Sequence, residues 1–96
     1  MMFDVIYGVV CDIGCKYEYT IVEKGAGIVI LRRPPMANSI SRLATLVYAY
    51  VYECHVNLYC DDLAAFVHLS DPDCFDAIDK FFIEANDRFC SRDMDL

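Results

Sequence analysis

The sequence predicts an α+β fold, in which an antiparallel sheet of about five strands carries two helices packed on one of its faces. Three observations lead to this prediction: several short apolar segments bounded by turn residues, a helical repeat over residues 38–54, and a second helical repeat after Pro72. The predicted order of elements is βββαββα. A length of 96 residues predicts a single domain over residues 1–96.

The N-terminal part is predicted to form a three-stranded meander. Residues 3–11, FDVIYGVVC, alternate and are rich in β-branched and aromatic side chains, as is typical of a strand. Residues 16–23, KYEYTIVE, alternate apolar and polar side chains, so one face of that strand should contact water. A Gly-Ala-Gly turn then leads into strand 28–33, which ends at two prolines because proline cannot donate to a ladder.

The clearest helical pattern covers residues 38–54, with Asn38 or Ser39 as the N-cap. The opposite side of this predicted helix carries Tyr48 and Tyr52, one turn apart, and almost no charge. Its apolar stripe recurs at helical spacing and consists of Ile40, Leu43, Ala44, Val47, Tyr50, Val51 and Cys54.

Exposed tyrosines predict a protein interface, because tyrosine buries a large area at low entropic cost and keeps a polar tip. Tyr48 and Tyr52 are the predicted contact residues on the helix. The strands are expected to add either Tyr17 and Tyr19 or Tyr59.

The C-terminal part is predicted to contain two short strands and a helix. Residues 55–60 and 63–69 are the strands, joined at Asp61-Asp62, although the second segment also fits a helical turn. Asp71 is predicted to cap the last helix, with Pro72 at its first position. This helix should run to about Cys90, and its core stripe is Cys74, Ile78, Phe81, Phe82, Ala85 and Phe89.

Six acidic residues lie on this last helix, and four have local roles. Asp71 and Asp73 lie at the positive end of the helix dipole, and two i,i+4 pairs are expected, Asp76 with Lys80 and Glu84 with Arg88. Asp79 and Asp87 have no such role. They contribute to a predicted partner-binding surface that comprises Asp61, Asp62, Asp73, Asp76, Asp79, Ile83, Glu84 and Asp87, extended by Glu53, Asp93 and Asp95.

The net charge of −7 is unevenly distributed and restricts the class of partner. Residues 1–52 carry a balance of +1, whereas residues 53–96 carry a balance of −8. Phosphate backbones and anionic membranes repel an acidic protein, so no direct nucleic acid or membrane contact is expected, and a protein with a basic surface is the expected partner. The N-terminus has no signal-peptide pattern, which predicts a cytoplasmic location and six reduced cysteines.

Motifs for metal, cofactor or catalytic chemistry are weak in this sequence. Cys11 and Cys15 form one loose pair rather than the two close pairs of a typical zinc site. Cys60 lies near His55 or His68 in the predicted hairpin, but no flanking residues match a nucleophile motif. We expect no metal, no cofactor and no catalytic residues.

Three functional hypotheses follow. The first is a small acidic, non-enzymatic inhibitor that occludes a basic nucleic-acid-binding surface of its target. The second is a self-associating module, such as a homodimer, that pairs through tyrosine-rich faces or a sheet edge. The third is a small cysteine-dependent enzyme. In size, acidity and lack of catalytic residues the chain resembles the small phage-encoded inhibitors of bacterial defence, such as anti-CRISPR or anti-restriction proteins, a resemblance of composition that assigns no site residues.

Overall fold

The computed structural model describes residues 2–35 and 43–90, with side chains from Val5 onward. It confirms the predicted α+β class, with five antiparallel strands in one sheet and two helices. In chain order the elements are helix α1 (Met2–Lys16), strands β1 (Thr20–Gly25), β2 (Ile28–Arg33), β3 (Thr45–Val51), β4 (His55–Cys60) and β5 (Leu63–His68), and helix α2 (Cys74–Ala85), which continues into a π-helical segment (Asn86–Cys90).

The sheet is a meander in which each strand pairs with its neighbour in sequence, in the order β1-β2-β3-β4-β5. The β1–β2 hairpin closes through three residues with positive φ, which are Gly25 at 129°, Ala26 at 57° and Gly27 at 83°. Glycine adopts such angles without steric cost, which explains the Gly-Ala-Gly turn. Farther from the turn this hairpin is irregular, because the pairing of β1 with β2 shifts register between Ile21 and Glu23.

The core lies between one face of the sheet and the two helices. Alternate residues of β2 to β5 point into it, as the two-residue period of a strand requires. The helices supply the other layer of the core, and they contact each other as well as the sheet. The fully buried side chains with the largest volumes are Tyr19, Phe82, Ile6, Leu31, Leu58 and Ile78.

The predicted strand over residues 3–11 is wrong, since this segment lies within helix α1. The apolar run fits both a strand and a helix, and tertiary packing selects the helix. Ile6, Val10 and Gly14 are buried at spacings of four residues, on the side that faces the sheet. The predicted strand over 16–23 accordingly begins only at Thr20.

The predicted helix over residues 38–54 is also wrong where the structure describes it. Residues 45–51 form strand β3, which pairs with β2 on one side and β4 on the other. Val47, Ala49 and Val51 point into the core, and the intervening side chains point away from it. The predicted N-caps Asn38 and Ser39 lie outside the described residues, as do residues 36–42 in general.

The order of elements is therefore αβββββα rather than βββαββα. Strands 28–33 and 55–60 are confirmed, and the ambiguous segment is a strand that ends at His68. Helix α2 begins two residues later than expected, with Asp73 rather than Asp71 as the N-cap, and the Asp73 side chain makes no capping hydrogen bond. None of the described helices is long and apolar enough to cross a membrane.

Candidate functional site

The face of the sheet that points away from the helices is covered by no element of residues 2–35 and 43–90. We call it the open face. The strand registers arrange its side chains in rows across the sheet, and its members are Thr20, Glu23, Ile28, Ile30, Arg32, Leu46, Tyr48, Tyr50, His55, Asn57, Tyr59, Ala64, Phe66 and His68.

The open face is apolar and aromatic, and its large side chains are in contact with solvent. Phe66 is 56% exposed, Tyr59 39% and Tyr50 36%. Tyr52 follows β3 directly and extends the same surface, since its backbone N–H donates to the carbonyl of His55. A contiguous exposed surface of this kind is typical of a binding site rather than of scattered surface residues.

Several rings of the open face stack on one another across the strands. The ring centroids of Tyr52 and His55 are 4.5 Å apart and those of His55 and Phe66 are 4.4 Å apart, both pairs at an interplanar angle of 20°. These distances are close to the ~4.8 Å spacing of neighbouring strands. Because strand side chains stand upright on a sheet, the rings present their edges to solvent while neighbouring rings cover their flat faces.

Charge is nearly absent from the open face. By register, Glu23 and Arg32 are the only Asp, Glu, Lys or Arg residues among its members, and they lie toward the β1 edge. Most acids of the described C-terminal residues lie instead on α2, on the residues that flank it and in the β4–β5 turn. The fold thus separates an aromatic sheet surface with little charge from an acidic layer around α2.

The predicted contact residues Tyr48 and Tyr52 both lie on this surface, although on a strand and its extension rather than on a helix. Tyr59 joins them, and its ring lies 5.7 Å from that of Tyr50. The other predicted pair does not lie on the open face, because Tyr19 is buried and Tyr17 is half-buried against Phe82. Sequence reasoning missed Tyr50, His55 and Phe66, which a period of two residues would have placed on the same face.

Asp79 belongs to the contact between the two helices and not to an outer acidic surface. Its carboxylate lies 2.7 Å from the Lys16 ammonium and accepts a hydrogen bond of 3.0 Å from the Tyr17 hydroxyl. The hydrogen bond from Lys16 is the main reason that the pKa of Asp79 lies below its usual value. Asp79 thus has a structural role that its own helix does not reveal, because its partners Lys16 and Tyr17 lie at the end of α1 and directly after it.

The other predicted acidic residues are exposed. Asp73, Asp76, Glu84 and Asp87 lie on the outer side of α2 and its π-helical continuation. Two exposed apolar side chains accompany them, Ile83 as predicted and Phe75, which was missed.

Arg88 pairs with Asp62 of the β4–β5 turn, with nitrogen–oxygen distances of 3.1 and 3.2 Å, instead of the expected Glu84. The π-helical segment holds more residues per turn than an α-helix, which turns Arg88 away from the position four residues back. Asp61 is exposed beside Asp62 and adopts a positive φ of 55° in the turn. The predicted extensions Asp93 and Asp95 lie outside the described residues.

The candidate catalytic pairs do not form. Cys60 is buried on the core side of the sheet, whereas His55 and His68 lie on the open face, so the sheet separates the thiol from both imidazoles. Burial is the main cause that raises the pKa of Cys60 to about 11, which keeps it a thiol at neutral pH. All six cysteines are free thiols, and residues 2–35 and 43–90 contain no cluster of metal-ligating side chains.

A hollow of about 370 Å³ lies at one end of the sheet, between the start of β3, the β4–β5 turn and the π-helical segment. Its lining includes Leu46, Tyr48, Asp61 and Phe89. Its wall at Leu43 adjoins residues that the structure does not describe.

Comparison with known proteins gives no assignment: no family model matches the chain, and no curated protein or solved structure matches it significantly.

Proposed function

We propose that this chain is a non-enzymatic binding protein that associates with a second copy of itself through the open face. The observation that carries this proposal is the row of exposed aromatic side chains on a sheet surface that no element of the described residues covers. Two such sheets packed face to face give a four-layer arrangement with the helices outside, and sheets pack in this way with their strands roughly aligned.

The size of the open face supports a stable dimer. Five strands spaced ~4.8 Å apart and six residues long at ~3.3 Å per residue cover about 24 by 20 Å. The upright rings make the accessible area larger than this flat projection. The flat projection of about 480 Å² together with the rings is therefore comparable to the ~600 Å² per partner at the lower end of stable protein interfaces.

The charge distribution favours the face-to-face arrangement over others. Two copies of a chain with a net charge of −7 repel each other. Face-to-face packing places both acidic α2 helices on the outside, as far apart as the fold allows. Glu23 and Arg32 carry opposite charges, so the acidic and basic side chains of the open face balance each other.

A single-stranded nucleic acid fits the same surface less well. Bases bind to such platforms by stacking on the flat faces of aromatic rings. Here the stacked rings of Tyr52, His55 and Phe66 cover most of each other's faces. The net charge of the chain opposes phosphate as well.

Sedimentation velocity over a wide range of protein concentration tests the proposal with two matched variants. Phe66→Asp places a charge in the middle of the open face, and Phe75→Asp places the same charge on the exposed surface of α2. If a central aromatic contact contributes ~2 kcal/mol and counts twice in a symmetric dimer, Phe66→Asp weakens association ~10³-fold. Phe75→Asp should leave it unchanged.

A monomeric parent chain at all concentrations would contradict the proposal, as would equal association of the Phe66→Asp and parent chains. Added salt gives an independent check. Association through a largely apolar face between two acidic copies should strengthen with salt, because screening at a Debye length of ~8 Å or less removes the repulsion.

The second candidate function is the acidic inhibitor that docks α2 on a basic surface of a nucleic-acid-handling protein. The exposed apolar residues Phe75 and Ile83 among the acids of α2 favour it. The pairing of Asp79 with Lys16 removes one acid from that surface. Such docking would weaken with salt, and the variant Asp76→Lys/Glu84→Lys would abolish capture of the target while leaving self-association intact.

A further inference from the structure

We infer that Asn57 lies on the twofold axis of the proposed dimer and that its amide pairs with the amide of the second copy. This inference rests on the proposed self-association and adds the register of the interface. It places the axis along the row of open-face residues that contains Tyr50, Asn57 and Phe66, which are direct cross-strand neighbours.

Asn57 is a polar side chain set among aromatic ones. Tyr50 and Phe66 lie directly opposite it on the two neighbouring strands, and His55 and Tyr59 lie two positions away on its own strand. It also lines a hollow of about 240 Å³ together with Tyr59, Ala64 and Phe66.

The amide of Asn57 has an unpartnered polar atom. Its Nδ2 donates a hydrogen bond of 3.3 Å to the Tyr59 hydroxyl, but its buried Oδ1 accepts none. Exchange of the oxygen and nitrogen of the amide would leave the NH₂ group unpartnered instead, so one half of the amide lacks a partner in either orientation. A buried amide atom without a hydrogen bond costs free energy, which a partner in the interface would relieve.

A second asparagine amide is the simplest group that satisfies this one. A primary amide donates and accepts, so two of them related by a twofold axis form a self-complementary pair. A residue meets its own copy only near that axis. Rotation about the last side-chain torsion, which is broad for asparagine, brings both the Oδ1 and the Nδ2 to the side of the second copy. The Nδ2 then exchanges its hydrogen bond to Tyr59 for one to the amide of that copy.

The dimensions agree with such a pair. Each asparagine amide reaches about 3.5 Å from its Cα, so two amides joined by a hydrogen bond of ~2.9 Å span about the ~10 Å that separates packed sheets. An axis along this row also sets each strand over its own copy. All five strands are then covered, and Phe66 meets Phe66 of the second copy.

The role of Asn57 is then to fix the register of an otherwise uniform aromatic surface. An isolated asparagine in an apolar coiled-coil seam selects one register and one oligomeric state in the same way. Without it, sheets covered by similar rings are expected to slide or to pack in several orientations.

Chemical crosslinking tests the position of the axis. The exposed cysteines are first removed by Cys15→Ser and Cys54→Ser. Ile28→Cys or Thr20→Cys is then introduced, with Asn57 and Phe66 left in place, and each protein is treated with a short bismaleimide. Ile28 lies directly opposite Tyr50 and therefore belongs to the row of the inferred axis. Thr20 belongs to the open face but lies at the far end of β1, two rows from that axis. We expect Ile28→Cys to crosslink into dimers at least ten times faster than Thr20→Cys.

Sedimentation velocity on the same samples separates the two levels of the argument. A dimer that crosslinks at Thr20→Cys as fast as at Ile28→Cys refutes the inferred axis and leaves the proposed function standing. A monomer refutes both. If Ile28→Cys fails to fold or to associate, Tyr50→Cys reads the same row while Asn57 and Phe66 stay in place.

In the same crosslinking assay, Asn57→Leu should associate at least as tightly as the parent chain, but its crosslinking rate at Ile28→Cys should approach that at Thr20→Cys because several registers mix. An unchanged ratio of the two rates would contradict the register role of the asparagine.

Discussion

Substitution of the two glycines of α1 by alanine is expected to change stability in opposite directions. Both lie in the same helix (Met2–Lys16), where alanine is intrinsically favoured over glycine by ~1 kcal/mol. A Cβ added at Gly8 meets no atom within 4 Å, whereas one added at Gly14 would lie 2.4 Å from the Cδ2 of Leu31 and 3.5 Å from the ring of Phe82.

The clash at Gly14 outweighs the gain in helix propensity. Carbon atoms pack at ~3.5–4.0 Å, so the Leu31 methyl must move by more than 1 Å, and Leu31 is fully buried in the core. Overpacking of this kind costs about 1–3 kcal/mol. Gly14→Ala should therefore lower the free energy of unfolding by about 1 kcal/mol, and Gly8→Ala should raise it by ~0.5–1 kcal/mol.

Urea unfolding followed by circular dichroism measures both effects, with the protein concentration held fixed because association would shift the midpoint. With a slope of ~1 kcal/mol/M for a small domain, each midpoint should move by up to about 1 M, down for Gly14→Ala and up for Gly8→Ala.

The reasoning fails if Gly14→Ala is as stable as the parent chain. A double variant identifies the cause: Leu31→Val removes the clashing methyl, so Gly14→Ala should destabilise the Leu31→Val chain less than it destabilises the parent. Equal losses in the two backgrounds would show that the contact with Leu31 is not responsible.

Two further predictions concern ionisable groups. The hydrogen bond from Lys16 lowers the pKa of Asp79 in the folded chain, so the contribution of Asp79 to stability is full above the unfolded pKa of ~3.9 and is lost as pH falls through the lower folded pKa. The difference in urea midpoint between the parent chain and Asp79→Asn should therefore vanish in acid. A difference that stays constant with pH would contradict this prediction. Burial raises the pKa of Cys60 to about 11, so iodoacetamide should modify the exposed Cys15 and Cys54 first. Mass spectrometry of digested samples measures the order of modification. Early modification of Cys60 would contradict its burial.

The sequence patterns predicted the fold class and the C-terminal elements but assigned two segments to the wrong type of secondary structure. In both cases a continuous apolar stretch satisfied two periods at once. Residues four positions apart share a face of a helix, because they are about one turn apart, and they also share a face of a strand, because four residues are two full periods of a strand. The segment around Val47, Ala49 and Val51 alternates as well as any strand, and only its pairing with β2 and β4 decides between the two.

The same ambiguity explains why part of the candidate site was predicted correctly. Tyr48 and Tyr52 are four positions apart, so they share a face in either structure. Tyr50 could not be recognised, because in a helix it would have pointed to the opposite side. The partners of Asp79 could not be found either, since Lys16 and Tyr17 become its neighbours only when α1 packs on α2.

The meander order of the sheet has a consequence for how the chain folds. Every strand finds its partner in the adjacent segment, so the pairing of the sheet requires no loop longer than the residues between β2 and β3 to close, at a small entropic cost. The contact between the first and last helices is different, because Tyr17, which follows α1 directly, bonds to Asp79 at a separation of 62 positions. Topologies dominated by local contacts fold quickly. The packing of α1 on the sheet and on α2 therefore closes the longest loops of the chain.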